Sequence, residues 1–89
     1  MAQAKIAIIE DDIALADMYK LKLESAGYKV MLAYDGQAGL DMIIEDTPDL
    51  VLLDLMLPQL TGSEVLAEYR KTAAGKDVKV IILTNISEY

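Results

Sequence analysis

Apolar positions along this chain follow two alternating rhythms. Residues 5–9, Lys-Ile-Ala-Ile-Ile, form a short apolar run closed by Glu10-Asp11-Asp12. A run so short and so rich in isoleucine predicts a strand buried on both faces. From Ile13 to Ala26 the spacing becomes helical, with apolar residues at 13, 15, 16, 19, 23 and 26. Asp12 is the expected N-cap and Gly27 the expected C′ stop. Asp17 and Lys20, three apart, are expected to pair on the wet side of that helix.

The rhythm then repeats. Tyr28 to Tyr34 reads as a second strand, Asp35-Gly36 as punctuation, and Gln37 to Glu45 as a short helix capped by Asp35. Gly36 and Gly39 each weaken a helix interior by roughly 1 kcal/mol. Pro48 ends the helix, because the residue before a proline avoids the right-handed helical region. Leu50-Val51-Leu52-Leu53 is the most hydrophobic run and leads into Asp54. Thr61-Gly62-Ser63-Glu64 has the form of a capping box and opens a helix expected to reach about Thr72. Val78 to Leu83 predicts a fourth strand, followed by Thr84. Strand and helix in strict alternation predict a parallel α/β sheet with right-handed crossovers, in one domain spanning residues 1–89.

Charge and composition narrow the chemistry. The 89 residues carry fifteen acids against eight bases, a formal charge of −7, with neither histidine nor cysteine. Such a chain repels phosphate backbones, so no direct nucleic-acid partner is expected. It offers no thiol, no imidazole base and no zinc site of the usual kind, so any metal must bind through oxygen. An apolar fraction of 54% implies a packed core. With no apolar run near the ~18 residues of a membrane span and no leader pattern, a cytoplasmic protein without a membrane partner is expected.

The acids become informative once the fold class is granted. Ligands of an open parallel sheet bind beyond the carboxyl ends of the strands. Glu10-Asp11-Asp12 ends the first strand, Asp54 the third and Thr84 the fourth, all at one edge. Asp12 is accounted for as a cap. Asp54 interrupts a run that should be buried, where an unpaired carboxylate costs several kcal/mol. If the first and third strands are neighbours, Asp11, Asp54 and Glu10 converge. Carboxylates within about 5 Å raise one another's pKa unless a cation sits among them, and a hard divalent ion is the economical answer. Pro58 and Gly62 read as backbone devices of the following loop. Met18, Met31, Met42 and Met56 read as core filler, and Tyr19, Tyr28, Tyr34 and Tyr69 as half-buried packing with a polar tip.

Ile8-Ile9-Glu10-Asp11-Asp12, Ala33-Tyr34-Asp35-Gly36, the run from Pro48 to Pro58, Gly62 and Leu83-Thr84 together resemble the receiver domain of two-component response regulators, in order and along the whole chain. The resemblance implies a flavodoxin-like three-layer α/β/α fold with strand order 2-1-3-4-5. By position it makes Asp54 the phosphoacceptor and Thr84 the switch hydroxyl that turns toward the phosphoryl group. Asp11 would ligate Mg²⁺ (with Mn²⁺ as the alternative) directly, Glu10 through water, and Met56 through its backbone carbonyl. The implied partner is a sensor histidine kinase or phosphotransfer protein carrying a phosphohistidine, and the chain is an acceptor rather than a conventional turnover enzyme. A haloacid-dehalogenase-like phosphatase shares the aspartate nucleophile but wants a second carboxylate two residues on, where this chain has Met56.

The family pattern also exceeds what this sequence holds. At about 22 residues per strand–helix unit, five units need about 110, so a sheet of order 2-1-3-4, incomplete after its fourth strand, is expected. The family's fifth-strand lysine and aromatic switch partner have no counterpart. Lys76 and Lys79 stand at the opposite edge from the acids and cannot replace that lysine. Val80-Ile81-Ile82-Leu83 would then be an apolar edge strand, a template for pairing, and a homodimer or other self-association through this strand or the uncovered faces beside it is expected. The alternative function is a receiver-derived scaffold that assembles without switching.

Overall fold

The computed structural model describes residues 3–83, and within them strand and helix alternate as the periodicities predict. The elements are β1 (Lys5–Ile9), α1 (Ile13–Ser25), β2 (Lys29–Ala33), α2 (Gly36–Asp46), β3 (Leu50–Asp54), α3 (Gly62–Arg70) and β4 (Lys79–Leu83). All strand pairs are parallel and the order is β2-β1-β3-β4. This is the flavodoxin-like arrangement, with β1 at the centre. Ile6, Ala7, Ile8 and Ile9 are all buried, which is why this strand carries no alternating polar position.

The two faces of the sheet are covered unequally. Ala7, Ile9, Val51 and Leu53 form one core with Leu40 and Ile43 of α2 and Val65 and Tyr69 of α3, and Met31, Met42 and Val80 pack against it. On the other face α1 lies against β1 and β2. There Leu50 and Leu52 are only partly buried and Ile81, in register with Leu52, is 51% exposed.

Local chemistry sets the helix ends. Asp12 and Asp35 accept hydrogen bonds from the backbone N–H of Leu15 (3.1 Å) and Ala38 (2.8 Å), capping α1 and α2. Thr61 and Glu64 make the reciprocal capping box of α3. At the end of α1, Gly27 takes φ +98°, and the N–H groups of Gly27 and Tyr28 bond to the carbonyls of Glu24 and Leu23. That is a Schellman closure, and only glycine adopts its φ without strain. The amino ends of β1 and β3 are tied by the Asp49 side chain, which accepts the Lys5 backbone N–H at 2.7 Å.

Several sequence expectations are corrected. The helix expected to reach Thr72 stops at Arg70, because the Thr72 hydroxyl bonds back to the Tyr69 carbonyl and the Arg70 guanidinium reaches forward to the carbonyls of Gly75 and Val78. Val78 precedes β4 rather than opening it. Asp17 does not pair with Lys20; it accepts the Tyr34 hydroxyl at 3.2 Å. Lys71–Glu68, at 2.8 Å, is the one ion pair among the described residues. Met31 and Met42 pack on the core, but Met18 and Met56 are exposed, lying on the solvent side of α1 and on the loop after β3. Tyr28 and Tyr34 are exposed, whereas Tyr69 is fully buried. Ile13 is exposed too, because α1 meets the sheet through Ala16, flanked by the part-buried Leu15, Tyr19 and Leu23. No helix among the described residues is long and apolar enough to cross a membrane.

Candidate functional site

Parallel pairing sends the carboxyl ends of β1 and β3 to the same edge, and the acids follow. Ile9 pairs with Leu53 in register, so Glu10 and Asp54 leave adjacent strands at the same level. Carboxylate oxygens of Glu10, Asp11 and Asp54 all lie within 4.8 Å of one another. Glu10 is 4% exposed and Asp54 3%, while Asp11 faces solvent and leaves the cluster open on one side. The convergence expected of these three residues is therefore present.

Backbone donors hold two of the three carboxylates. The Asp54 carboxylate accepts the N–H of Met56 at 3.0 Å. Glu10 Oε2 accepts the N–H of Asp12 at 3.1 Å, and the Glu10 N–H in turn extends the sheet ladder to the Ala33 carbonyl. Asp12 thus caps α1 with its side chain and steadies Glu10 with its backbone, and it stays outside the acidic cluster. Burial pushes the Glu10 carboxyl up from 4.5 to about 7; hydrogen bonding with Asp54 and Asp11 and the Asp54 charge add to the rise, against the opposing Asp12 N–H. Two buried acids and a third beside them carry more negative charge than the backbone donors offset.

The loop after β3 is fitted tightly to this pocket. The Gly62 N–H closes it onto the Leu55 carbonyl at 3.2 Å. A Cβ on Gly62 would overlap the Asp54 carbonyl oxygen and sit 2.6 Å from the Leu55 Cα. Gly36, at the start of α2, similarly abuts the Leu60 carbonyl of the same loop. The left-handed turn falls on Gln59 (φ +66°), not on Gly62. Gly62 is thus the backbone device its position suggested, and its specific role is to let α3 start against the backbone of Asp54. A glycine inside a capping box that does not require one was the available signal. Met56 supplies its backbone N–H to Asp54 and is 61% exposed at the pocket rim. Leu83 lies in register with Asp54, and Thr84, expected next to it, falls outside the described residues.

The donor set is all oxygen, crowded and negative, which suits a hard divalent cation rather than a soft one. The family model of the response regulator receiver domain matches residues 6–89. The chain belongs to this family. Among solved structures, this receiver domain is similar to the receiver domain of a sensor histidine kinase from Pseudomonas aeruginosa PAO1, which has a magnesium ion coordinated in its active-site cleft. The two are 30% identical with a TM-score of 0.90, over 98% of this chain and 71% of the other. The N-terminal domain of a response regulator receiver protein from Methanoculleus marisnigri JR1 is 31% identical with a TM-score of 0.88, over 93% of this chain and 68% of its own. A chemotaxis protein of Vibrio cholerae is 27% identical with a TM-score of 0.88, over 98% and 75%. Membership carries phosphoryl acceptance in two-component signalling.

Proposed function

We propose that this receiver accepts a phosphoryl group on the Asp54 carboxylate from a phosphohistidine of a sensor kinase or phosphotransfer protein. The observation that carries this reading is the convergence of buried Asp54 with Glu10 and Asp11 at the carboxyl edge of the sheet. In the transfer, an Asp54 oxygen forms a new bond to phosphorus as the phosphorus–nitrogen bond to the donor imidazole breaks, and the leaving nitrogen keeps the electron pair and takes a proton. The demand on the protein is positioning and charge neutralisation. The Met56 N–H holds one Asp54 oxygen at 3.0 Å and so orients the carboxylate. Asp11 would bind Mg²⁺ (or Mn²⁺) directly with Asp54 and the Met56 carbonyl, and Glu10 through water. A bound divalent ion would neutralise and orient the phosphoryl oxygens. By family position Thr84 is the hydroxyl that answers phosphorylation. The chain acts as an acceptor, not as an enzyme of repeated turnover.

The scaffold alternative gains no support, because a non-switching scaffold has no use for three converging carboxylates. Self-association remains compatible with the acceptor reading and is proposed through β4, whose outer edge has no strand partner among the described residues. The decisive experiment incubates the chain with Mg²⁺ and phosphoramidate or acetyl phosphate and follows intact mass. One phosphoryl increment is expected, absent without divalent cation and absent in Asp54→Ala. No increment under conditions that label an intact receiver, or an increment that survives Asp54→Ala, overturns the proposal.

A further inference from the structure

Negative charge is unevenly spread over the helices. α1 balances Asp17 and Glu24 with Lys20 and Lys22, whereas α2 carries Asp41, Glu45 and Asp46 and no basic residue. α3 sets Glu64 and Glu68 against Arg70, whose guanidinium turns away to the carbonyls of Gly75 and Val78. α2 and α3 lie side by side and leave a groove of about 460 Å³ lined by Gln37, Leu40, Leu60, Glu64, Ala67 and Glu68. Its make-up follows from helical spacing. Gln37, Leu40, Asp41 and Ile44 share one face of α2, and Glu64, Ala67 and Glu68 share one face of α3. Leu40, Leu60 and Ala67 thus supply an apolar floor, with Glu64 and Glu68 along the α3 lip, Gln37 on the α2 lip with Asp41 bonded to it on the same helix face, and Ile44 exposed beyond Leu40.

The acids on the lips are available as charges. The Glu64 carboxyl is held below its ordinary value by hydrogen bonds from the Thr61 backbone and hydroxyl, so it stays ionised. Among the described residues Glu68 pairs with Lys71 alone, and both side chains are largely solvated, so an incoming cation exchanges for that partner at little cost. Asp41 accepts the Gln37 amide at 3.1 Å, a neutral donor that leaves its charge uncompensated. An apolar floor beside the acidic α3 lip, with Asp41 next to Gln37 on the α2 side, is complementary to a helix with an apolar stripe flanked by lysine or arginine. It repels phosphate-bearing polymers.

We propose that the α2–α3 groove docks a basic amphipathic helix of a partner protein. The apolar stripe of that helix sits on Leu40, Leu60 and Ala67, and its cations meet Asp41, Glu64 and Glu68. This surface contains none of the phosphoacceptor residues, so it stands independently of the reading of Asp54.

The test titrates the isotope-labelled chain with a capped peptide of about 14 residues, leucine and lysine at helical spacing, followed by amide chemical shifts. Saturable shifts centred on Gln37, Leu40, Leu60, Glu64, Ala67 and Glu68 are expected. A scrambled peptide of the same composition and a leucine–glutamate peptide should fail to saturate. The double variant Asp41→Lys/Glu68→Lys changes exposed residues outside every cap and should weaken binding about tenfold or more, with an unchanged circular dichroism spectrum. Shifts centred on Glu10, Asp11 and Asp54, an equal response to the scrambled peptide, or indifference to the double variant overturns the proposal. Concentration-dependent shifts of the groove amides without peptide also overturn it, by assigning the groove to a second copy of the chain.

Discussion

Glu10 holds a proton more readily in the folded chain than in the unfolded one. Its carboxyl stands at about 7 in the fold against 4.5 as a free side chain. Between those values the folded state binds more protons, so this contribution to stability is complete below about 4.5 and lost as the pH rises through about 7. In chelator, the urea midpoint should fall between pH 5 and pH 8, the fall should flatten in Glu10→Gln, and added Mg²⁺ should restore part of the wild-type loss at pH 8. Tyr69 makes the opposite kind of prediction. Its hydroxyl is buried without a partner among the described residues, and its ring packs against Gly75, where any Cβ would collide with it. Tyr69→Phe removes an unsatisfied polar atom, so the melting temperature should hold or rise, by an amount equivalent to about 1 kcal/mol. The acids of the pocket were legible in the sequence because a general rule places ligands at the carboxyl edge of such a sheet. The burial of Tyr69 was not, because a tyrosine at a helical position reads alike whether its ring meets a glycine or solvent.

At the level of elements, the segment from Asp54 to α3 is the most constrained. Gly62 begins the helix with no room between its Cα and the backbone of Asp54 and Leu55. Gly62→Ala should therefore destabilise the fold by about 1–3 kcal/mol, read as a lower urea midpoint at unchanged slope. The displaced Asp54 should also take up phosphoryl more slowly in the mass assay. The caps at Asp12, Asp35 and Thr61–Glu64 could be read directly, since capping needs only residues a few positions apart. The end of α3 could not, because it is decided by Arg70 reaching the carbonyls of Gly75 and Val78, an interaction that exists only once the following loop has folded back. The Asp17–Lys20 pair failed for a related reason: helical spacing permits it, but Tyr34 from beyond β2 supplies a competing donor.

On the scale of the whole molecule, two similar apolar strands meet different fates. Ile-Ala-Ile-Ile of β1 is fully buried, while Val-Ile-Ile-Leu of β4 leaves Ile81 and Ile82 exposed. Composition cannot distinguish them; sheet order does, by placing one strand at the centre and the other at the rim. The exposed rim should drive association, so light scattering at micromolar concentration should report species larger than the monomer, and Ile81→Lys should return the chain to monomer without loss of secondary structure. The same order has a consequence for synthesis. The strand made first becomes the central one, flanked by β2 and later by β3. A nascent chain that has paired only β1 with β2 carries Glu10 and Asp11 as ordinary acids on an exposed turn, without Asp54 beside them. Asp54 arrives when β3 docks on the other side of β1, so the pocket comes into being only with the completed centre of the sheet. Chains arrested before β3 docks should therefore show no phosphoryl increment with phosphoramidate, and only the assembled sheet should take it up.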